Sequence, residues 1–202
     1  MKILNFDDKK EIKQILLKNE VIAFPTETVF GLGVVSTSGD AFANLVKVKN
    51  RSPEKPFTLM CSNKNQIKDY AIVSPVAEKL INKYMPGSIT LLLPAKEHLD
   101  YYLTLNSKFI GVRIADIAGL TNLIEYVGVP LLVPSANKAN EKPATSINDV
   151  ISVFEGEIAC CIDGVCVTNL PSTIIEIDEC DNIILIRKGP ISFEEIIKEA
   201  KK

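Results

Sequence analysis

The chain has 202 residues, 47% hydrophobic and 24% charged, with 23 basic residues against 25 acidic ones and a formal net charge of −2. Such a length and composition suit one globular domain of the larger kind with a substantial core. The near-neutral balance excludes a global basic field that draws the protein to nucleic acid or membrane, so any anion site has to be local.

The opening "MKILNFDDKKEIKQ" is charged too early to hold the apolar core of a signal peptide. The runs "ITLLL" and "VPLLV" fall far short of the roughly 20 residues that cross a bilayer. Five cysteines, Cys61, Cys160, Cys161, Cys166 and Cys180, form no C-x-x-C pair, and an odd number suits no disulfide framework. With a single His, a zinc site is not expected. The cysteines read as small buried apolar side chains, and the chain as a cytoplasmic protein.

In chain order, "KILNF" and "EVIAF" read as strands around a helix over 8–18, where Ile12, Ile15 and Leu16 share a face and Asp7-Asp8 marks the start. "FPTETVFGLG", residues 24–33, then reads as a polar, glycine-punctuated loop. A helix covers "DAFANLVKVK", and Ser52-Pro53 is expected to stop it, because a residue before proline avoids the helical region. "FTLMCS" is a strand, and "SPVAEKLINKYM" a helix with Pro75 in its first turn. "SITLLLPA" and "FIGVRI" are strands, a helix lies near 117–127, and "PLLV" is a short buried strand. "SINDVISVF" is a helix opened by Ser146-x-x-Asp149. "STIIEI" and "NIILIR" are adjacent strands, and a last helix opens with Ser192-x-x-Glu195. Helix-linked and closely spaced strands occur together, with no linker between them. The fold class is therefore α/β, a single-domain twisted open mixed sheet flanked by helices.

Three polar clusters interrupt this pattern. They are "FPTETVFGLG", the basic "KVKNRSPEKP" of 47–56, and "PSANKANEKPAT" of 134–145. The first and third follow strand ends, where ligands of open α/β sheets bind, so a shared site is expected. Each cluster alone is also what a turn or a helix end looks like. Other conspicuous residues read as structural. His98 belongs to an exposed loop, Tyr101-Tyr102 to packing at a sheet edge, and Cys160-Cys161 places one thiol in the core.

"PTETVFGLG", "KVKNRSPEKPF", "YMPGSITLLL", "GVRI", "PSAN", "PSTIIEI" and "IRKGPI" occur in the order found in the YrdC-like proteins, and the chain resembles that family from about 11 to 197. Within it, the chain is similar to the threonylcarbamoyl-AMP synthases of the short TsaC type, with no room for the extra C-terminal domain of longer members. The resemblance implies a concave, locally basic groove. It also implies an enzyme that joins L-threonine, bicarbonate and ATP into threonylcarbamoyl-adenylate and pyrophosphate. The product goes to the tRNA threonylcarbamoyl-transfer machinery for the t6A modification.

By the same resemblance, Thr26, Thr28, Arg113, Ser135 and Ser172 form the threonine pocket, with Glu27 in support. Lys49 and Arg51 are the catalytic pair, and they bind ATP together with Lys55, Asn137, Thr145 and Arg187. Mg2+ is expected to arrive with ATP rather than in a protein cage. The Ser52–Pro56 segment is a candidate lid over the reacting groups. The chain departs from common family residues at Met60, Phe109, Ala115, Ala139 and Asn140. Two other readings are a weak double-stranded RNA or tRNA-binding module and a carbamoyl-adenylate-forming relative.

Overall fold

The computed structural model describes residues 1–52 and 56–202. Lys55 and most of the candidate lid therefore lie outside the described residues. Among the described residues ten strands form one mixed sheet. They are β1 (Lys2–Leu4), β2 (Ile22–Phe24), β3 (Gly31–Val35), β4 (Thr58–Met60), β5 (Ile89–Pro94), β6 (Phe109–Arg113), β7 (Leu131–Val133), β8 (Cys160–Ile162), β9 (Thr173–Ile177) and β10 (Ile183–Arg187). Their spatial order is β1-β8-β2-β3-β7-β4-β6-β5-β9-β10. Parallel pairs (β1·β8, β2·β8, β4·β6, β5·β9) occur together with antiparallel ones, as the mix of long and short connections requires.

Eight helices complete the described structure: α1 (Lys9–Leu17), α2 (Gly39–Lys49), α3 (Lys64–Tyr70), α4 (Pro75–Tyr84), α5 (Tyr101–Thr104), α6 (Ala118–Val127), α7 (Ile147–Phe154) and α8 (Phe193–Ala200). Their starts follow local chemistry. Ser74 accepts from the Ala77 amide ahead of Pro75, and Ser146 with Asp149 forms a reciprocal capping box. Ser192 accepts from the Glu195 amide at the start of α8. No helix among the described residues is long and apolar enough to cross a membrane.

Alternation along the central strands sets the two faces of the sheet. Ile89, Leu91 and Leu93 of β5, Ile110 and Val112 of β6, and Ile175 and Ile177 of β9 are buried on one face. There α4 packs against β5 and against α8. Thr90 and Leu92, Phe109, Gly111 and Arg113, and Ile174 and Glu176 line a cavity on the other face. The site is thus laid across a sheet face, rather than only beyond strand ends as the loop positions suggested.

Several expectations need correction. The glycines of "FGLG" belong to β3, not to a loop. A Cβ on Gly33 would lie 2.5 Å from the ring of Phe24, and one on Gly31 would lie 2.7 Å from Val133. Glycine is there because the neighbouring side chains occupy the space. Cys160 and Cys161 are both fully buried, since β8 lies between β1 and β2 with both faces covered. Burial pushes both thiols up to about 12, which keeps them protonated and unreactive. Helix α2 stops before Ser52-Pro53, because Asn50 takes the left-handed conformation (φ 48°) that ends helices. Helices α3 and α5 add turns where only connections were expected.

The Phe24 contact gives a direct test. Gly33→Ala lowers stability by about 1–3 kcal/mol through overpacking. Phe24→Leu, which removes the ring, recovers part of that loss in a double-mutant cycle of urea unfolding. A Gly33→Ala cost unchanged by Phe24→Leu contradicts the assignment.

Candidate active site

The cavity has a volume of about 620 Å³, and four cations line it, Lys49, Arg51, Arg113 and Arg187, with Glu176 as the one carboxylate among the described residues. The loop after β2 brings Thr26 and Thr28, the end of α2 brings Lys49 and Arg51, and the loop after β7 brings Ser135. These are the three polar clusters of the sequence, and they meet at one place.

At one side Arg113 is tied into a buried knot. Its Nη2 donates to Glu27 Oε1 at 2.6 Å and to Thr28 Oγ1 at 3.0 Å, and its Nε donates to Gly87 O at 3.3 Å. The two charged side chains are 8% and 9% exposed. Glu27 also accepts from Ser88 Oγ at 3.3 Å and from the Asp116 amide at 3.1 Å. A buried ion pair is tolerated only when its remaining lone pairs are satisfied in this way.

Counting protons orients the hydroxyls. Thr26 Oγ1 lies 2.7 Å from Val29 O, which can only accept, so Thr26 donates there. The 2.8 Å contact between the two threonine hydroxyls is then a donation from Thr28 to Thr26. Thr28 in turn accepts from Arg113. The chain runs Arg113 to Thr28 to Thr26 to Val29, and it spends both hydroxyl protons inside the loop. Arg113 Nη1 makes no hydrogen bond among the described residues. Ser36 Oγ is the one buried side-chain polar atom there without a partner. Nη1 is therefore not a fully buried orphan, and Arg113 is among the residues that line the cavity.

On the other side Lys49 is 3% exposed, and among the described residues it has no acidic partner. Its ammonium donates to Ser135 O at 2.7 Å, Asn137 O at 2.7 Å and Asn137 Oδ1 at 3.0 Å. Three donors meet three acceptors. Burial, with a smaller contribution from Arg51, pushes this ammonium down to about 8. Ser135 Oγ donates to Asn137 Oδ1 at 2.6 Å, while Asn137 Nδ2 donates to Lys138 O at 2.7 Å and Glu141 O at 3.0 Å. The "PSAN" loop is thus folded around Lys49, and Asn137 acts on the cavity wall through that lysine. Asn140 holds the left-handed turn (φ 64°) that its residue type tolerates.

Arg51 lies over the Phe57 ring at 5.7 Å. Arg187 donates twice to Ser172 O, at 3.1 Å and 2.9 Å, and once to Ser172 Oγ at 3.1 Å. Burial first, then the Arg113 charge, lowers the Arg187 pKa. Ser172 Oγ also meets Thr90 Oγ1 at 2.8 Å.

Of the residues expected at the site, Thr26, Thr28, Lys49, Arg51, Arg113, Ser135, Ser172 and Arg187 line the cavity together. Asn137 backs it. Thr145 does not line it; its hydroxyl donates to Asp149 Oδ2 at 3.2 Å. Met60 and Phe109 both reach the wall. His98 stands apart, with a side chain 93% exposed. Thr90 and Glu176 escaped the sequence reading. Their signal was the two-residue alternation of "SITLLL" and "STIIEI", which puts one polar side chain of each strand on the cavity face.

Lys49 yields a prediction whose sign is fixed by its lowered pKa. The unfolded chain keeps this proton up to about 10.5 and the folded chain only up to about 8. The unfolded state therefore binds more protons between those values, and the Lys49 contribution to stability rises with pH across that window. The buried thiols pull the other way in both proteins, so the expected effect of Lys49→Met is a difference: from pH 7.5 to 10 the unfolding free energy of the variant rises less, or falls more, than that of the wild type. An unchanged pH dependence contradicts the assignment.

Comparison with known proteins places this geometry in a family. The family model Sua5_yciO_yrdC, described as telomere recombination, matches residues 14–189. A threonylcarbamoyl-AMP synthase of Buchnera aphidicola is 34% identical over 189 residues, which is 92% of this chain and 100% of that protein. One of Bacillus subtilis is 32% identical over 90% of this chain, and here the chain spans 53% of the relative. The crystal structure of Pyrococcus abyssi Sua5 complexed with L-threonine superposes with a TM-score of 0.91 at 29% identity, over 98% of this chain and 61% of that one. Escherichia coli YciO shares the fold, with a TM-score of 0.85 at 22% identity over 96% and 97% of the two chains. The chain belongs to the Sua5/YciO/YrdC family.

Proposed function

We propose that the cavity forms threonylcarbamoyl-adenylate and pyrophosphate from L-threonine, bicarbonate and ATP, for the t6A modification of tRNA. The observation that carries this reading is the pairing, within one cavity, of an arginine edge preset for a carboxylate with a separate lysine–arginine site for phosphate. The names of the Buchnera and Bacillus relatives and the threonine complex of the Pyrococcus protein support it.

The open Nη1 edge of Arg113 takes the threonine carboxylate, with Thr28, Ser135 and Ser172 around it. Thr26 serves this pocket through its loop bonds, since its proton is committed to Val29. The threonine amine adds to the carbon of bicarbonate or CO2, losing a proton, with water as the leaving group when bicarbonate is used. The N-carboxylate oxygen then bonds to the α-phosphorus of ATP while the bond to pyrophosphate breaks. No side chain has to form a covalent bond, so positioning and charge do the work.

Lys49 and Arg51 neutralise charge developing on the phosphates. Arg187 and Lys55 add to the nucleotide side, Asn137 holds Lys49 in place, and Thr145 orders the same loop through Asp149. Mg2+ is carried on the triphosphate. Among the described residues no three His, Cys, Asp or Glu side chains cluster as a metal cage. The mixed-anhydride product is labile in water, which favours handing it to the transfer machinery.

Pyrophosphate release tests the reading. Release from Mg-ATP requires both L-threonine and bicarbonate, and Arg51→Ala lowers kcat by about 10²–10³-fold, as for other transition-state charge partners. Release indifferent to threonine overturns the proposal.

A further inference from the structure

Glu176 has no place in the chemistry above. It lies on the cavity face of β9, and its side chain makes no hydrogen bond or ion pair among the described residues. Glutamate is disfavoured inside strands, and its neighbours on the same wall, Leu92, Ile174 and Ile186, are apolar.

Its position is fixed by register. Thr58 pairs with Val133, Gly111 with Leu92, and Leu92 with Glu176. The space where a Gly111 Cβ would stand is 3.6 Å from Thr58 Oγ1. These residues form one row across the cavity floor, and three strand spacings from Thr58 to Glu176 make about 14 Å. Lys49 and Arg51 belong to the far end of the row, whereas Arg187 stands on β10 beside β9. Arg51 covers Phe57, next to Thr58, and Lys49 holds Ser135, two residues beyond Val133. A nucleoside triphosphate with its phosphates on Lys49 and Arg51 would run along this row and bring its nucleoside to Glu176. A carboxylate there also repels phosphate, which sets the direction of the nucleotide.

We propose that Glu176 binds the ribose 2′- and 3′-hydroxyls of the nucleotide and selects ribonucleotides over deoxyribonucleotides. A carboxylate only accepts, through two oxygens, and a vicinal diol supplies two donors. The adenine edge fits less well. It offers one amino group beside a ring nitrogen that is itself an acceptor and would face the second oxygen. This assignment rests on the reading that the cavity holds ATP.

The test is titration calorimetry of wild type, Glu176→Gln and Glu176→Ala with Mg-ATP, Mg-2′-deoxyATP and the triphosphate of purine riboside, which lacks the adenine amino group. Wild type binds ATP about tenfold more tightly than 2′-deoxyATP, as expected for one hydrogen bond to a charged acceptor. Glu176→Ala brings that ratio close to one and leaves 2′-deoxyATP affinity within about threefold, which also shows that the variant is folded. An unchanged ratio in Glu176→Ala overturns the proposal. So does a change confined to the ATP-to-purine-riboside ratio, or to the Mg2+ concentration needed for binding. If wild type binds none of the three, the nucleotide reading of the cavity fails and the Glu176 assignment falls with it. If ATP binds but threonine-dependent pyrophosphate release is absent, the reaction is wrong while the Glu176 result still stands.

Discussion

The buried pair of Glu27 and Arg113 is the constraint on which the site depends. It joins the loop after β2 to the end of β6 at a place with almost no solvent. Two charges there are tolerable because Ser88 and the Asp116 amide complete the carboxylate, while Thr28 and Gly87 complete part of the guanidinium. The backbone carbonyl of Glu27 also accepts from the amides of Val167 and Thr168, which ties in the segment ahead of Ser172. What remains is Nη1, without a hydrogen bond among the described residues, on a guanidinium held at Nε and Nη2 and lining the cavity. A fixed fork loses little entropy on meeting a carboxylate, and this makes it a suitable anchor for a small amino acid.

Around that anchor the cavity divides its charge. Among the described residues Lys49 is held by three carbonyl acceptors and no carboxylate, so these bonds position its charge without cancelling it. Burial, with the nearby Arg51 charge, drives its pKa down to about 8. The two anchors differ accordingly. Arg113 is neutralised on one edge and open on the other, which suits a single carboxylate. Lys49 and Arg51 put two cations side by side on the cavity wall, which suits a polyanion. In the proposed reaction a small reactive carbamate between them would be brought to the phosphate by position rather than by a nucleophilic side chain.

Much of this was legible in the sequence, and the failures have physical causes. Ser146 with Asp149 and Ser74 before Pro75 announced their helices because capping is local chemistry. The three polar clusters announced a common site because each interrupts an apolar pattern at the end of an element. Gly31 and Gly33 misled because a glycine that makes room for the Phe24 ring looks the same in sequence as one that makes a turn. Strand β8 was missed because two cysteines buried on opposite faces leave no alternation to see. Thr90 and Glu176 were missed because a polar residue in an apolar strand shows its importance only when the other face is known to be packed. Thr26 and Asn137 were expected to touch substrates, yet their polar atoms are largely spent within the protein, a fact that requires the hydrogen-bond partners.

The central claim is that the edge of Arg113 left open by Glu27 reads a carboxylate. Its most direct measurement is calorimetric binding of L-threonine against L-threoninol, which keeps the amine, the hydroxyl and the methyl group but has no carboxylate. The account predicts that L-threonine binds at least about tenfold more tightly, in line with a hydrogen-bonded charge pair, and that Arg113→Met abolishes the difference. Equal binding of the two compounds to the wild-type protein would contradict it.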